Sequence, residues 1–218
     1  EIRQSGISGA MMGKGNHQHF MLKETHEQPA VIGDTLHSYL DPATRSVRMP
    51  AMPVDWSKVS RVTMTACGTA FYACMVAKYW FEKLARLPVE VEVASEFRYR
   101  EPPLPEGGVC IAVSQSGETV DTLEALRYAK SQKQTLLSVV NVPESAIARL
   151  SNVTLLTQAG PEIGVASTKA FTTQLVVLLS AAIAAGRARG TLTRSDEERL
   201  AHAMIELPAR INETLNME

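Results

Sequence analysis

The sequence has 218 residues, the size of one large domain, and its 45% hydrophobic and 21% charged residues are typical of a globular protein. Lys and Arg number 22 against 23 for Asp and Glu, which gives a formal net charge of −1. This balance argues against a nucleic-acid-binding protein, because such proteins usually carry an excess of basic residues on one face. It does not exclude a local anion site, since net charge says nothing about individual pockets.

The cysteines and the apolar runs favour a cytoplasmic protein that contacts no membrane. The 3 cysteines show no CxxC spacing, so we expect neither a disulfide framework nor a metal site, and a reducing compartment fits them best. No signal peptide is predicted, because the first residues lack an apolar core. The longest apolar run, from Leu175 to Ala185, is about half the roughly 20 residues that a membrane span needs, so it predicts a buried helix.

The N-terminal quarter of the chain differs from the rest in composition. Residues 1–18 are rich in Gly, Ser and Met and are expected to form a flexible leader. Residues 19–58 are expected to contain two short helices interrupted at Pro29, followed by a proline-rich loop over residues 41–56. We expect these elements to pack on a main domain that occupies residues 59–218.

From residue 59 onward, short β-branched runs alternate with segments of helical periodicity. The predicted strands are residues 60–66, 89–94, 109–115, 135–141 and 153–158. The predicted helices begin at Thr69, Thr119, near Pro143, near Ser167 and near Ser195, where Ser195 and Glu198 match a capping box. This alternation predicts an α/β fold of three layers, with a five-stranded parallel sheet of the flavodoxin-like type flanked by helices.

Polar residues cluster where three of the predicted strands end. The segments are residues 67–70, 114–119 and 164–169, and they combine glycines with Ser and Thr at predicted helix starts. Free N–H groups and the helix dipole favour anions at such positions, and the hydroxyls add uncharged donors. The pattern is neither a Walker A loop nor GxGxxG, which disfavours a nucleotide or a dinucleotide cofactor. A phosphate group on a small molecule fits this pattern best.

Several of these residues also have a purely structural interpretation. A single Ser or Thr at a helix start usually serves only as a cap, but three such sites at neighbouring strand ends favour a ligand. Glu118 is favoured by the dipole of its own helix, and Lys169 is interpreted as a structural or ion-pairing residue. Cys67 is expected to be a small buried apolar side chain, and His17 and His19 are expected to be exposed rather than metal ligands.

Five strings in the sequence carry a family resemblance: ACGTAFY, VASEFRYR, SQSGETVDT, NVPES and EIGVASTKAFTTQ. They resemble the sugar-isomerase (SIS) family, and the likeness extends from about His19 to Arg210. SQSGET is general to SIS proteins, whereas EIGVASTKAFTTQ and SEFRYR are more specific. These two strings are similar to the isomerase half of the glutamine–fructose-6-phosphate aminotransferases, within which this chain resembles the first of two SIS copies.

The resemblance implies a set of phosphosugar-binding residues and no catalytic residue within this chain. The implied contacts come from Thr69, Ser114, Gln115, Ser116, Thr119, Val165 and Ser167. Ser114, Ser116 and Thr119 would hold the phosphate with help from the Gln115 amide, while Val165 and Ser167 would line the sugar. The family usually has Ser at the position of Ala70, so one polar contact is expected to be missing here.

The resemblance also implies a reaction and partners. Fructose 6-phosphate and glutamine would be converted to glucosamine 6-phosphate and glutamate, with a glutaminase domain and a second SIS copy in the full-length protein. The second copy would supply the acid–base residues, and no cofactor is implied. The family forms homodimers, and the long apolar helix from Ala170 to Ala185 supports the same expectation here. The alternatives are an Amadori-sugar deglycase or another phosphosugar isomerase, and a sugar-phosphate-sensing regulatory module. Residues 1–58 lack the helix-turn-helix pattern expected for the regulator.

Overall fold

The computed structural model describes residues 13–217, so most of the predicted leader (residues 1–18) lies outside the described residues. The elements within the described part are α1 (Phe20–Tyr39), β1 (Leu40–Asp41), β2 (Ser46–Val47), β3 (Val62–Ala66), α2 (Gly68–Trp80), β4 (Val89–Val93), α3 (Ala94–Arg100), β5 (Val109–Ser114), α4 (Val120–Ser131), β6 (Thr135–Val140), α5 (Ala146–Leu150), β7 (Val153–Leu156), α6 (Lys169–Ala188) and α7 (Arg194–Leu215). A single π-helical turn, Phe81–Ala85, extends α2.

The main sheet has the strand order β4-β3-β5-β6-β7, and every pairing in it is parallel. Alternate side chains of β5 enter two different hydrophobic clusters, one with α2 and α6 and the other with α4 and α5. Because the sheet is covered on both faces, its central strands are continuously apolar or small rather than alternating. The α/β fold with a five-stranded parallel sheet flanked by helices, predicted from the sequence, is confirmed.

The prediction of two short helices before the sheet is wrong, because α1 is one helix that runs through Pro29. Proline has no N–H, so the carbonyl of Thr25 loses its usual partner four residues along the helix. The side-chain amide of Gln28 donates to that carbonyl at 3.0 Å and replaces the missing bond. Ile32 and Leu36 then anchor the second half of α1 in a cluster with α6 and α7.

The predicted loop at residues 41–56 is only partly irregular. β1 and β2 form a small antiparallel ribbon at its start. Glu197 of α7 accepts a hydrogen bond from the Val47 N–H at 2.8 Å, and Arg187 of α6 donates to the Val47 carbonyl at 2.9 Å. Arg187 also pairs with Glu197 at 2.6 Å, so the nearly inaccessible carboxylate is neutralised where the ribbon meets the two helices.

The last helix begins two residues earlier than predicted. Thr193 is its N-cap, and its hydroxyl accepts from the Asp196 N–H at 3.1 Å. Ser195 therefore lies inside the helix, and Glu198 pairs with Arg194 at 2.6 Å instead of closing a capping box. The carboxylate of Asp196 in turn accepts from the Thr193 hydroxyl at 2.6 Å, so the two side chains are paired at the start of the helix without a capping box.

The apolar helix α6 is the central helix of the domain. It is long and apolar enough to cross a membrane by composition, but 78% of its most apolar window is buried within the protein. It packs against α1, α2 and α7, which confirms the predicted buried helix. Because the apolar surface of α6 is buried within the chain, the length of this helix gives no reason to expect a dimer. The sequence-based expectation of a dimer from this helix therefore loses its support.

Candidate functional site

A cleft of about 420 Å³ opens at the carboxyl ends of β3 and β5. From β3 the chain crosses to the edge strand β4 and then returns to β5 on the opposite side of β3, so strand order reverses here. Such switch points are where open α/β sheets bind ligands. The cleft is lined by Cys67, Gly68, Thr69, Ala70, Val113, Ser114, Gln115, Ser116, Thr119, Val165, Ala166, Ser167 and Gln174. Every binding residue predicted from the sequence lies in this one cleft.

The loop after β5 is organised by its own hydroxyls. Ser114 Oγ accepts from the Gly117 N–H at 3.0 Å and lies 3.1 Å from Thr119 Oγ1. Ser116 Oγ accepts from the Glu118 N–H at 3.2 Å. A hydroxyl that accepts from an N–H keeps its own proton for another acceptor. Ser116 therefore has a free O–H to donate, and the Ser114–Thr119 pair has one more.

Gly117 is required by the shape of this loop. Its φ is +66°, a left-handed conformation that only glycine adopts without strain. A Cβ at this position would collide with the side chain of Ser145, which lies behind the loop before α5. The loop thus turns sharply while staying packed on the sheet, and this turn leaves the hydroxyls of Ser116 and Thr119 on the cleft side.

Two helices begin at the cleft without a side-chain cap. Thr119 is the N-cap residue of α4, but its hydroxyl makes no capping hydrogen bond. Cys67 occupies the same position before α2, also without one. The helix dipoles of α2 and α4 are therefore directed at the cleft, where each favours a negative charge. For Thr119 the capping interpretation does not hold in this structure.

The third wall of the cleft comes from the segment between β7 and α6, which must cross from a distant strand. Asn141, at the end of β6, fixes the start of the segment by accepting from the Ala159 N–H at 3.0 Å and donating to the Gly160 carbonyl at 2.7 Å. The buried carboxylate of Glu24 in α1 accepts from the Ile163 and Gly164 N–H groups at 2.6 and 3.0 Å. These contacts hold the segment over the cleft.

Glu162 closes the same segment onto α6. Its carboxylate accepts from the N–H groups of Thr168 and Ala170 at 2.9 and 3.1 Å and from the Ser167 hydroxyl at 2.9 Å. The N-terminus of α6 is therefore already occupied by an anion of the protein, unlike those of α2 and α4. Because Ser167 donates its proton to Glu162, it can offer a ligand only an acceptor, which suits a sugar hydroxyl rather than a phosphate. Val165 lies fully exposed at the rim.

The comparisons with known proteins identify this architecture. The family model described as SIS domain matches residues 56–184. The chain belongs to the SIS domain family. The resemblance inferred from the sequence is thereby confirmed.

Relatives of this SIS domain are aminotransferases. The glutamine–fructose-6-phosphate aminotransferase of Bradyrhizobium diazoefficiens is 58% identical over 97% of this chain and 35% of that protein. That of Brucella abortus is 55% identical over 100% of this chain and 36% of that protein. The C-terminal domain of glucosamine-fructose-6-phosphate aminotransferase from Francisella tularensis has a TM-score of 0.86 and 39% identity, over 90% of this chain and 55% of that chain. The SIS domain described here spans about a third of the length of the curated relatives.

The structure places two ionisable candidates of the SIS domain outside the cleft. Lys169 is buried and donates to Glu27 at 2.7 Å, which is an ion-pairing role. Burial raises the pKa of Glu27, but hydrogen bonds and charge from Lys169 and Lys23 outweigh this and leave the pKa below its ordinary value. Glu118 accepts from the Ala146 N–H at 2.8 Å, so its carboxylate caps α5 rather than its own helix.

The cysteines differ in their access to the cleft. Cys67 is half-buried and lines it, so the prediction of a buried apolar residue is wrong for this position. Cys74 and Cys110 are fully buried, and burial raises the pKa of both thiols, that of Cys110 to about 12. Cys67 is thus the one cysteine within residues 13–217 that faces a ligand site.

A second cleft, of about 520 Å³, lies between α1 and the segment after β7. Its charged residues include Glu27 and Asp34 beside Lys169, and Lys169 is already neutralised by Glu27. This balance disfavours an anionic ligand. The cleft at β3 and β5 is therefore the better site for a phosphosugar, although it is the smaller of the two.

Sequence reasoning missed Glu24, Glu162 and Gln174. Glu162 and Gln174 lie inside the string EIGVASTKAFTTQ, so the motif contained them, but nothing in it distinguished a carboxylate that caps α6 from an exposed one. Glu24 acts on a segment about 140 residues away along the chain, and no local pattern signals such a contact. Gln174 is buried in α6 and lines the cleft.

Proposed function

We propose that this SIS domain is the phosphosugar-binding part of a glutamine–fructose-6-phosphate aminotransferase. In the full-length protein, fructose 6-phosphate and glutamine would be converted to glucosamine 6-phosphate and glutamate in the cytoplasm. The relatives at 55–58% identity support the reaction. The free cysteines support a reducing compartment.

The observation that carries the proposal is the loop from Ser114 to Thr119 at the sheet's switch point. Its hydroxyls accept from the Gly117 and Glu118 N–H groups, which leaves O–H donors for a phosphate. The amide of Gln115, the hydroxyl of Thr69 and the uncapped starts of α2 and α4 add donors and partial positive charge. Ser167 would then accept from a sugar hydroxyl.

The cleft supplies binding but no proton transfer. Among the described residues that line it, none is Asp, Glu, His, Lys or Arg. Isomerisation between a ketose and an aldose needs a general base and a general acid. We therefore propose that these groups come from a second SIS copy and that ammonia comes from a glutaminase domain, both elsewhere in the full-length protein.

An exposed apolar face on α2 supports a protein partner. Tyr72, Met75, Val76 and Tyr79 recur at helical spacing and are all exposed. Such a stripe marks a surface that another protein element covers. We propose that a second SIS unit covers it, which for the chain in isolation means a homodimer. Light scattering is expected to give the mass of a dimer for the wild type and of a monomer for Tyr79→Glu, and a monomeric wild type would contradict this part of the proposal.

Calorimetric or NMR titration with glucose 6-phosphate and with glucose tests the binding function. We expect weak saturable binding of glucose 6-phosphate and none of glucose, because the donors of the cleft are directed at the phosphate. Fructose 6-phosphate is expected to bind without being converted, since the cleft has no acid–base residue. An equal response to glucose and glucose 6-phosphate would overturn the proposal.

A further inference from the structure

One side chain of the cleft has an unmet hydrogen-bonding requirement. Gln174, in the second turn of α6, is 2% exposed and lines the cleft. Its amide oxygen has no hydrogen-bond partner among residues 13–217. Other buried polar groups share this condition, including Thr65, Thr122 and Ser145, but within the described part of the chain Gln174 is the one that lines the cleft.

An amide buried without its bonds costs free energy, and an apolar side chain of the same length would avoid that cost. Met or Leu would also suit α6, whose neighbouring turns pack into the apolar core through Val177 and Leu178. The glutamine therefore lowers the stability of the empty domain. A hydroxyl of a ligand that reaches the amide oxygen and donates to it would satisfy it, and Gln174 is one of the residues that line the cleft.

The position of Gln174 also indicates which part of a ligand it meets. It comes from α6, which packs on the face of the sheet opposite to α4, whereas the phosphate donors come from the loop between Ser114 and Thr119. Ala70 and Val113 are buried apolar residues that line the same cleft. A phosphate held at the loop leaves the sugar carbons and their hydroxyls to extend toward these residues.

We propose that Gln174 is a specificity-determining residue that accepts a hydrogen bond from a hydroxyl of the bound phosphosugar. This inference rests on the proposed function and adds to it a residue that contacts the sugar rather than the phosphate. In this arrangement the hydrogen bond to Gln174 is made by the sugar and not by the phosphate, so Gln174 favours sugar phosphates over inorganic phosphate. The discrimination follows because a ligand without the hydroxyl leaves the buried acceptor unpaired.

The test compares glucose 6-phosphate with inorganic phosphate on Gln174→Met, which keeps the length of the side chain and removes the amide. We expect a tenfold to hundredfold loss of affinity for glucose 6-phosphate, unchanged affinity for inorganic phosphate, and a melting temperature no lower than that of the wild type. Thr122→Val is the matched control, because it removes a buried, unpaired hydroxyl on α4 outside the cleft. It should leave both affinities unchanged.

The outcomes separate this inference from the proposed function. If the wild type binds glucose 6-phosphate and Gln174→Met binds it equally well, the inference is overturned and the proposed function stands. A variant that melts earlier and loses both ligands in proportion shows a structural role, which also overturns it. If Gln174→Met does not fold, Gln174→Asn replaces it, because the shorter side chain keeps the amide but places it farther from the ligand. A selective loss of affinity for glucose 6-phosphate in this variant supports the inference, and unchanged binding overturns it. A wild type that binds no glucose 6-phosphate overturns the proposed function and this inference with it.

Discussion

The role of Thr119 separates a ligand-binding loop from a helix start with no further purpose. Its hydroxyl lies 3.1 Å from Ser114 Oγ and does not cap α4. Thr119→Val removes the hydroxyl and preserves the branched shape. In the empty domain the variant loses one internal hydrogen bond, worth about 0.5–1.5 kcal/mol. For a domain of this size, that lowers the melting temperature by roughly 2–4 °C per kcal/mol.

The loss of affinity should be larger than the loss of stability. A hydrogen bond to a charged phosphate is worth about 1.5–3 kcal/mol, and each 1.4 kcal/mol is a factor of ten. Thr119→Val should therefore bind glucose 6-phosphate about 10 to 100 times more weakly by calorimetry. Thr122→Val, one turn further along α4, is the control, because it removes a buried hydroxyl that has no hydrogen-bond partner. It should leave the affinity unchanged and should not lower the stability. If Thr119→Val melts earlier but binds like the wild type, Thr119 is structural, and the argument that the Ser114–Thr119 loop holds the phosphate fails.

Three further predictions concern the frame of the site. Gly117→Ala should lose phosphosugar binding and melt at a markedly lower temperature, because its Cβ would collide with the side chain of Ser145. Gly107→Ala is the control, since Gly107 has φ +72° but lies in open space, so its substitution adds only backbone strain. Equal melting curves for the two variants would refute the steric argument. A thiol reagent should label Cys67 alone in the folded protein, because the other two cysteines are buried. Glucose 6-phosphate should slow this labelling, because Cys67 lines the cleft. A labelling rate that the ligand does not change would show that the ligand binds elsewhere. Glu27→Gln should destabilise the domain by about 1–3 kcal/mol at pH 7, because it leaves buried Lys169 without its carboxylate. Folding lowers the pKa of Glu27, so the difference in stability between the wild type and Glu27→Gln should be present above pH 4.5, the ordinary pKa of a glutamate, and vanish as the pH falls through the pKa of the folded state. A difference in urea-unfolding free energy that persists in acid would contradict the ion pair.

The parallel sheet was predictable because its physical signals are local. Buried runs such as VCIAVS are continuous in the sequence, and this one ends at Ser114, where the next turn begins. The helix α3 was not predicted, since ASEFRYR is short, charged and directly joined to β4. Its stability comes from tertiary contacts: Phe97 is fully buried against α4, and Arg98 pairs with Asp121 at 2.8 Å. No periodicity in so short a segment reveals that packing.

The errors at α1 and at the start of α7 have the same origin. Pro29 is a sound signal for a helix break, and the break is avoided because Gln28 supplies the missing hydrogen bond and α6 buries the rest of α1. Ser195 and Glu198 match a capping box in sequence, but the N-cap of the helix is Thr193, whose hydroxyl accepts from the Asp196 N–H. Local propensity was nearly balanced between the two starts, and only the three-dimensional arrangement selected one.

In the candidate site, the hydrogen-bond donors could be predicted from the sequence, but the contacts that hold the segment before α6 could not. The donors could be found because parallel strands end at one edge of the sheet, which brings Thr69 and the Ser114–Thr119 loop together from the order of elements alone. The third wall could not, because its position depends on two carboxylates that no local pattern signals. Glu24 holds the segment before α6, and Glu162 neutralises the start of α6. This arrangement leaves α2 and α4 as the helices whose dipoles act on a ligand. Under the proposed function, dipoles and hydroxyls hold the phosphate without a fixed charge among the described residues of the cleft. The acid and the base would then come from the protein element that covers its open side.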